Sequence, residues 1–253
     1  SYLIEILLQL GIGPQLVGVS GGIDHLATIS RVPRLRGFRQ MSAESILAMR
    51  PDLYISTTDI TGPAVAAQVR QAGVQVALFE NEPTLPGIEE RITDLGTLVG
   101  RQRQAADLLR RFRADLANAR GLVARTRTRP RGLFILSGGN RPTVVAGRGT
   151  GPANLLELSG CVNVATSIEG FRVMSQEAMI AAAPQFILIN RDGREVRDGV
   201  PVALTAPGAL QTPAGRARRL ISMPGEYLQG FGILTPSAIR ALARAVHPEL
   251  AGR

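Results

Sequence analysis

The sequence predicts an α/β protein: two Rossmann-like lobes with parallel-rich sheets, joined by one long α-helix. Three observations predict it. Strand and helix patterns alternate through residues 16–80, the same cadence resumes at residue 132, and a helical register fills the interval. The 253 residues are enough for two modest domains, each with its own core. A hydrophobic content of 45% and a charged content of 19% place the chain among globular proteins and against disordered or fibrous classes. No apolar stretch reaches the roughly 18 residues that a membrane-spanning helix needs.

In chain order, residues 2–10 form an amphipathic helix, and LVGVS at 16–20 is a short apolar strand. SAESILAMRP at 42–51 is a helix with Ser42 as N-cap and Glu44 in its first turn, where the helix dipole favours a carboxylate. Pro51 stops it and DLYIST is the next strand. GPAVAAQVRQAG at 62–73 is a helix closed by Gly73, followed by the strand VQVALFE. From Gly87 to Thr126 apolar residues recur at spacings of three and four, as in Leu108, Leu109, Phe112 and Leu116, with Gly96, Gly100 and Gly121 as candidate interruptions. GLFILS at 132–137 opens the second half, followed by TVVAG, the glycine-rich turn GRGTGP and the helix ANLLELSG. SQEAMIAAAP, the strand QFILIN and a terminal helix from the Thr235–Pro236 cap signal complete it. The expected division is an N-terminal lobe at 1–86, a connecting helical region at 87–127 and a C-terminal lobe at 128–253.

One segment occurs twice. GFRQMSAESILAMRPDLYI at 37–55 aligns without gaps on GFRVMSQEAMIAAAPQFIL at 170–188, offset by 133 residues, with eight identities in nineteen positions. A Ser-x-Glu before an apolar helix is a good N-terminus wherever it occurs, which accounts for Ser42, Glu44, Ser175 and Glu177. It leaves unexplained why Gly-Phe-Arg precedes both helices. An arginine just before a helix N-terminus sits where a ligand carboxylate would also meet free backbone N–H groups. The repeat therefore predicts a clamp for an anionic ligand, with Arg39 on one side of a cleft and Arg172 on the other.

The net charge of +9 resembles a nucleic-acid signal until its distribution is read. The chain has no lysine, and ten of its 29 basic residues fall between Arg101 and Arg131, a stretch that reads as one solvated helix and its exit. Phe112 is the one aromatic group there, too few for base stacking, so no nucleic-acid partner is expected. Cys161 is the sole cysteine, which excludes an internal disulfide and a multi-thiolate metal site. Two histidines, His25 and His247, assemble no nucleophile–His–acid set, and GRGTGP fits neither a Walker nor a dinucleotide fingerprint, so an enzyme is not expected.

Nearly the whole chain resembles the substrate-binding proteins of ATP-driven importers for haem, corrinoids and ferric siderophores, the class with a single helical linker. The resemblance rests on IEILLQLGIGPQLVGVSGG, VPRLRGFRQMSAESILAMRPDLYIS, GPAVAAQVRQAGVQV, VAGRGTGPANLLELSG, EGFRVMSQEAMIAAAPQFILI and EYLQGFGILTPSAI, and is nearest to the haem-binding branch. It implies a periplasmic, monomeric protein that binds haem, or alternatively a corrinoid or ferric siderophore, in a cleft between its lobes, as transported cargo with no catalytic cofactor. It implies that Glu44 and Glu177 meet arginines on the permease dimer of an ABC importer. Arg39 matches an arginine that contacts the ligand's carboxylates, and Arg172 is its internal-repeat partner, a role suited to a planar guanidinium. Phe38, Phe171 and Tyr227 are the accompanying candidates for ligand contact. The haem branch carries Gly-Tyr-x-Arg-x-Leu-Ser-Ala-Glu, whose tyrosine coordinates iron; here Gly37 occupies that position. His25 and Tyr227 are the remaining candidates for an iron ligand. Met41 and Met174 are soft donors better suited to packing. The resemblance implies a further first strand before SYLIEILLQLG, so either this sequence starts late or the first lobe lacks an edge strand, and a signal peptide is expected to have been removed or to lie upstream.

Overall fold

The computed structural model describes residues 2–21, 26–35, 41–137, 142–191, 196–197 and 200–250. The chain divides into two units, Ser1–Arg110 and Arg111–Arg253.

The first unit contains α1 (Tyr2–Gln9), α2 (Ala43–Leu47), β1 (Leu53–Thr57), α3 (Pro63–Gln71), β2 (Gln75–Phe79), α4 (Leu85–Leu98) and the start of α5 (Gln102–Val123). Strands β1 and β2 pair in parallel from Leu53↔Gln75 to Thr57↔Phe79, as the strand–helix–strand pattern predicts. Met41, Ala43, Ile46, Tyr54 and Val69 form the core beneath them. Met41 is therefore a packing residue, and the Tyr54 hydroxyl is spent on Thr61 at 2.7 Å.

Two expectations change here. The strand expected at 16–20 reduces to one parallel bridge between Val19 and Arg34. Gly18 and Gly21 weaken the segment, and Pro33 opposite has no N–H to give a ladder. The helical register of 87–126 becomes two helices, broken at Gly100, whose φ of +65° suits glycine. Gly96 and Gly121 lie inside helices. A Cβ on Gly96 would stand 2.3 Å from the Ala105 methyl, so glycine is what lets α4 and α5 approach there. The boundary between the units falls within α5.

The second unit carries the larger sheet. Its strands are β3 (Arg131–Ser137), β4 (Val144–Ala146), β5 (Val162–Asn163), β6 (Phe171–Val173), β7 (Phe186–Asn190) and β10 (Leu220–Met223), in the order β10-β7-β3-β4-β6 with β5 also beside β3. A separate pair, β8 (Val196–Arg197) and β9 (Val200–Pro201), lies outside it. The helices are α6 (Gly151–Leu158), α7 (Gln176–Ala182), α8 (Pro213–Arg216), α9 (Gly225–Gln229) and α10 (Thr235–Val246). β3, β5, β7 and β10 are mutually parallel, whereas β4 and β6 run antiparallel at one edge. A parallel strand covered on both faces reads as a continuous apolar run, and Phe186, Ile187, Leu188 and Ile189 are all buried. Met174 joins Leu133, Ile135, Val145 and Met179 in the core, which disposes of it as a metal ligand.

His247 caps the end of α10 and is fully buried, its Nε2 lying 2.9 Å from the Ser159 carbonyl oxygen. A carbonyl can only accept, so Nε2 carries the proton. Cys161 is buried too, and burial pushes its thiol up to about 12.

The repeated segments share more than sequence. Ser42 and Ser175 each accept the backbone N–H three residues on, at 3.2 Å in both cases. β1 and β7 occupy positions related by the same offset, 53–57 and 186–190. Between helix and strand the chain passes through the left-handed region at Arg50 (φ 49°) and Ala183 (φ 44°), each followed by a proline that excludes the helical conformation from it.

Candidate ligand site

The second GFR segment is a strand. The sequence places Arg172 in a loop before a helix; the structure puts it at the centre of β6, the edge strand of the sheet, with β4 as its neighbour. Val144, Val145 and Ala146 register with Val173, Arg172 and Phe171. Because side chains alternate across a sheet, Phe171 and Val173 share one face with Val144, and Arg172 shares the other with Val145. Phe171 is 41% exposed and Val173 63%, which is unusual for large apolar groups on one short strand. Leu136, 45% exposed, lies on β3, one strand beyond β4, at the irregularity where β3 pairs β4 through Ile135↔Val145 and Ser137↔Val144. The result is an apolar sheet face open to contact, with an exposed guanidinium in its edge strand.

Local sequence explains why this edge holds its place. Gly170 sits at φ +67°, a conformation that glycine adopts without cost. Asn163 donates from Nδ2 to the Ala146 carbonyl at 3.3 Å, anchoring the end of β4. Arg172 donates from Nη1 to the Phe171 carbonyl at 2.9 Å, which uses one of its five N–H groups. Beyond Met174, Ser175 caps α7.

Glu44 and Glu177 lie in the first turns of α2 and α7, both exposed. The Glu177 carboxyl is held below the usual carboxylate range by its own backbone N–H and by the Ser175 hydroxyl. Tyr227, expected in a loop, is half-buried on the short helix α9, where its backbone N–H donates to the Pro224 carbonyl at 3.1 Å. Pro224 starts that helix by being unable to donate itself. Gly37, Phe38, Arg39 and His25 lie outside the described residues. Among the described residues, no group of three or more His, Cys, Asp or Glu is placed to hold a metal ion. Val173, Val144 and Leu136 carry no motif in the sequence; the shared face of Val173 and Val144 follows from strand register alone.

The chain thus has two α/β units, the second of which carries an exposed edge strand with two apolar side chains and an arginine. Residues 2–227 match the periplasmic binding protein family, and the chain belongs to it. It is similar to the periplasmic heme-binding protein RhuT from Roseiflexus sp. RS-1, with 32% identity and a TM-score of 0.92 over 98% of this chain and 96% of that one. It is 21% identical over 248 residues to the uncharacterized ABC transporter substrate-binding lipoprotein YvrC of Bacillus subtilis, covering 97% of this chain and 77% of that protein. It is 27% identical over 187 residues to the vitamin B12-binding protein of Vibrio cholerae, covering 74% of this chain and 66% of that protein.

Proposed function

We propose that this chain is the substrate-binding component of an ABC-type importer, that it captures haem outside the cytoplasmic membrane as a monomer, and that it hands its ligand to the permease without catalysing a reaction. The observation that carries the reading is the exposed edge strand β6, with Phe171 and Val173 on one open apolar face of the sheet and the exposed Arg172 on the same strand, its side chain leaving from the other face. A planar macrocycle with carboxylates at its rim matches both features, apolar area for the ring and a guanidinium for a propionate. The similarity to RhuT supports this choice of ligand. Phe171, Arg172 and Tyr227 are the proposed contacts in the second unit; Phe38, Arg39, Gly37 and His25 are proposed from the sequence alone. A corrinoid is the second reading, favoured by the vitamin B12-binding relative and by glycine at the position where the haem branch carries tyrosine.

Titration with haemin tests the assignment. A saturable Soret shift of defined stoichiometry is expected, and Arg172→Ala should weaken binding by roughly tenfold, the worth of a hydrogen bond to a charged group. No shift, with tight binding of cyanocobalamin instead, transfers the assignment to a corrinoid.

Glu44 and Glu177 are the proposed permease contacts, since both are exposed and repeated at one offset. The double variant Glu44→Ala with Glu177→Ala is expected to keep its haemin affinity while losing transport when reconstituted with its permease. Equal loss of soluble binding would remove the docking role.

A further inference from the structure

Two arginine-rich stretches that lie far apart in the sequence, RTRTRPR at 125–131 and RARR at 216–219, meet at one edge of the second unit. We propose that this edge docks on an anionic lipid bilayer and holds the chain at a membrane by a surface separate from the ligand site and from Glu177.

The sheet order brings the stretches together. β3, β7 and β10 are parallel neighbours, so their amino ends lie side by side. Leu220, Ile187 and Leu133 form one row across the three strands. Two residues earlier, Arg218 and Arg131 therefore stand level with each other, with Gln185 between them. Backbone bonds fix both stretches: Gln185 N–H donates to the Arg131 carbonyl at 2.7 Å, and Ile187 N–H to the Arg219 carbonyl at 3.0 Å. Adjacent strands lie about 4.8 Å apart, so the two stretches pass within about 10 Å of each other. Glu177 is elsewhere. It sits in the first turn of α7, and Ala182, the last residue of that helix, is the one bonded at this edge.

Helix ends explain part of the charge. Arg131 donates to the Ala182 carbonyl at the end of α7 at 2.7 Å, and Arg219 to the Val246 carbonyl at the end of α10 at 2.9 Å, where a cation offsets the helix dipole. Arg216 donates to the Gln211 carbonyl. Arg125, Arg127, Arg129 and Arg218 are left over. All four are exposed, and among the described residues their guanidiniums make no hydrogen bond or ion pair. Glu249 is bonded to the first stretch, accepting from Arg127 N–H at 2.8 Å and the Thr128 hydroxyl at 3.3 Å, one negative charge beside seven arginines. Guanidiniums crowded in this way repel one another, and a surface of many negative charges relieves the repulsion. Neither stretch carries an aromatic residue on which a base could stack, and neither forms a helix or two-stranded ribbon of the kind that enters a groove. A bilayer needs only positive charge on a broad face, and each arginine near an anionic lipid surface raises partition roughly fivefold. The proposed place of the chain, outside the cytoplasmic membrane, puts such a surface within reach.

Sedimentation with vesicles tests the surface. The wild-type chain is expected to bind vesicles of phosphatidylglycerol mixed with phosphatidylcholine and to ignore phosphatidylcholine alone. Release is expected as salt rises from about 0.1 M to about 1 M, where the screening length falls to about 3 Å. The variant Arg127→Gln with Arg129→Gln and Arg218→Gln should bind roughly a hundredfold more weakly, with its haemin titration unchanged. The same charge removed from other exposed positions, in Arg70→Gln with Arg103→Gln and Arg111→Gln, should cost far less. Equal losses in the two triple variants make net charge the cause and overturn the surface, as does wild-type binding to neither vesicle or equally to both. Tighter binding to duplex DNA than to the anionic vesicles, lost in the first triple variant, overturns the lipid assignment. Vesicle binding is read without ligand, so its failure leaves the haem reading intact.

Discussion

Phe186→Ala is expected to lower the free energy of unfolding by about 3–5 kcal/mol, the range for removing a buried aromatic side chain. The ring is fully buried on the strand that pairs with both β3 and β10. It lies across Gly132, where an added Cβ would stand 2.4 Å from Cζ, so the site was shaped by a glycine on one strand and a phenyl ring on the next. Little can collapse into the space, because Gly132 brings no side chain and the flanking Leu133 and Ile187 are already packed in the core. The loss extends further through Arg219, whose guanidinium stands 5.9 Å from the ring centroid and donates from Nη2 to the Val246 carbonyl at 2.9 Å. Denaturant unfolding checks this: the midpoint should fall with an unchanged slope, and an unfolding free energy within about 1 kcal/mol of wild type would refute the packing argument.

Gly147→Ala should affect both stability and binding. The Cβ would fall 2.2 Å from the Ile168 carbonyl oxygen and 2.5 Å from its carbon, and backbone atoms cannot rotate aside as a side-chain tip can. The cost is expected at the upper end of overpacking, about 3 kcal/mol. To relieve the contact the turn GRGTGP must move off residues 168–170, breaking the bonds that tie it to the start of β6, the strand that carries Phe171 and Arg172. Haemin affinity should therefore fall even at temperatures where the variant is fully folded. Gly149→Ala is the control: its φ is +74°, but nothing lies within 4 Å of the new carbon, so the cost reduces to left-handed strain of about 1–2 kcal/mol. If both variants behave alike, crowding at residue 147 is not what holds the turn.

The elements legible in the sequence were those with a periodic apolar face. β1, β2, β7 and α10 read cleanly because burial imposes an alternating, continuous or three-to-four spacing on their residues. β6 did not, since it is three residues long and exposed throughout, and hydrogen bonds to β4 define it. The motif search found Phe171 and Arg172 by their repetition, yet had no means of finding Val173, which is a strand neighbour and departs from the repeat, with Gln40 at the corresponding position. The turn GRGTGP is plain in the sequence as a glycine-rich segment; that it is tied to the start of β6 depends on bonds to residues some twenty positions later. Its meaning was topological, and topology is the part of a fold that local pattern encodes least.

The two left-handed joints at Arg50 and Ala183 separate what is repeated in the backbone from what is repeated in the side chains. Their side chains have nothing in common, and the residues around them have drifted: Ala43 is buried in its segment while its counterpart Gln176 is exposed. The dihedral angle, the proline after it and the strand beyond have all stayed in step. The bend in the backbone is therefore repeated where the side chains are not, which makes the joint a property of the chain path and of the proline after it rather than of the residue that occupies it.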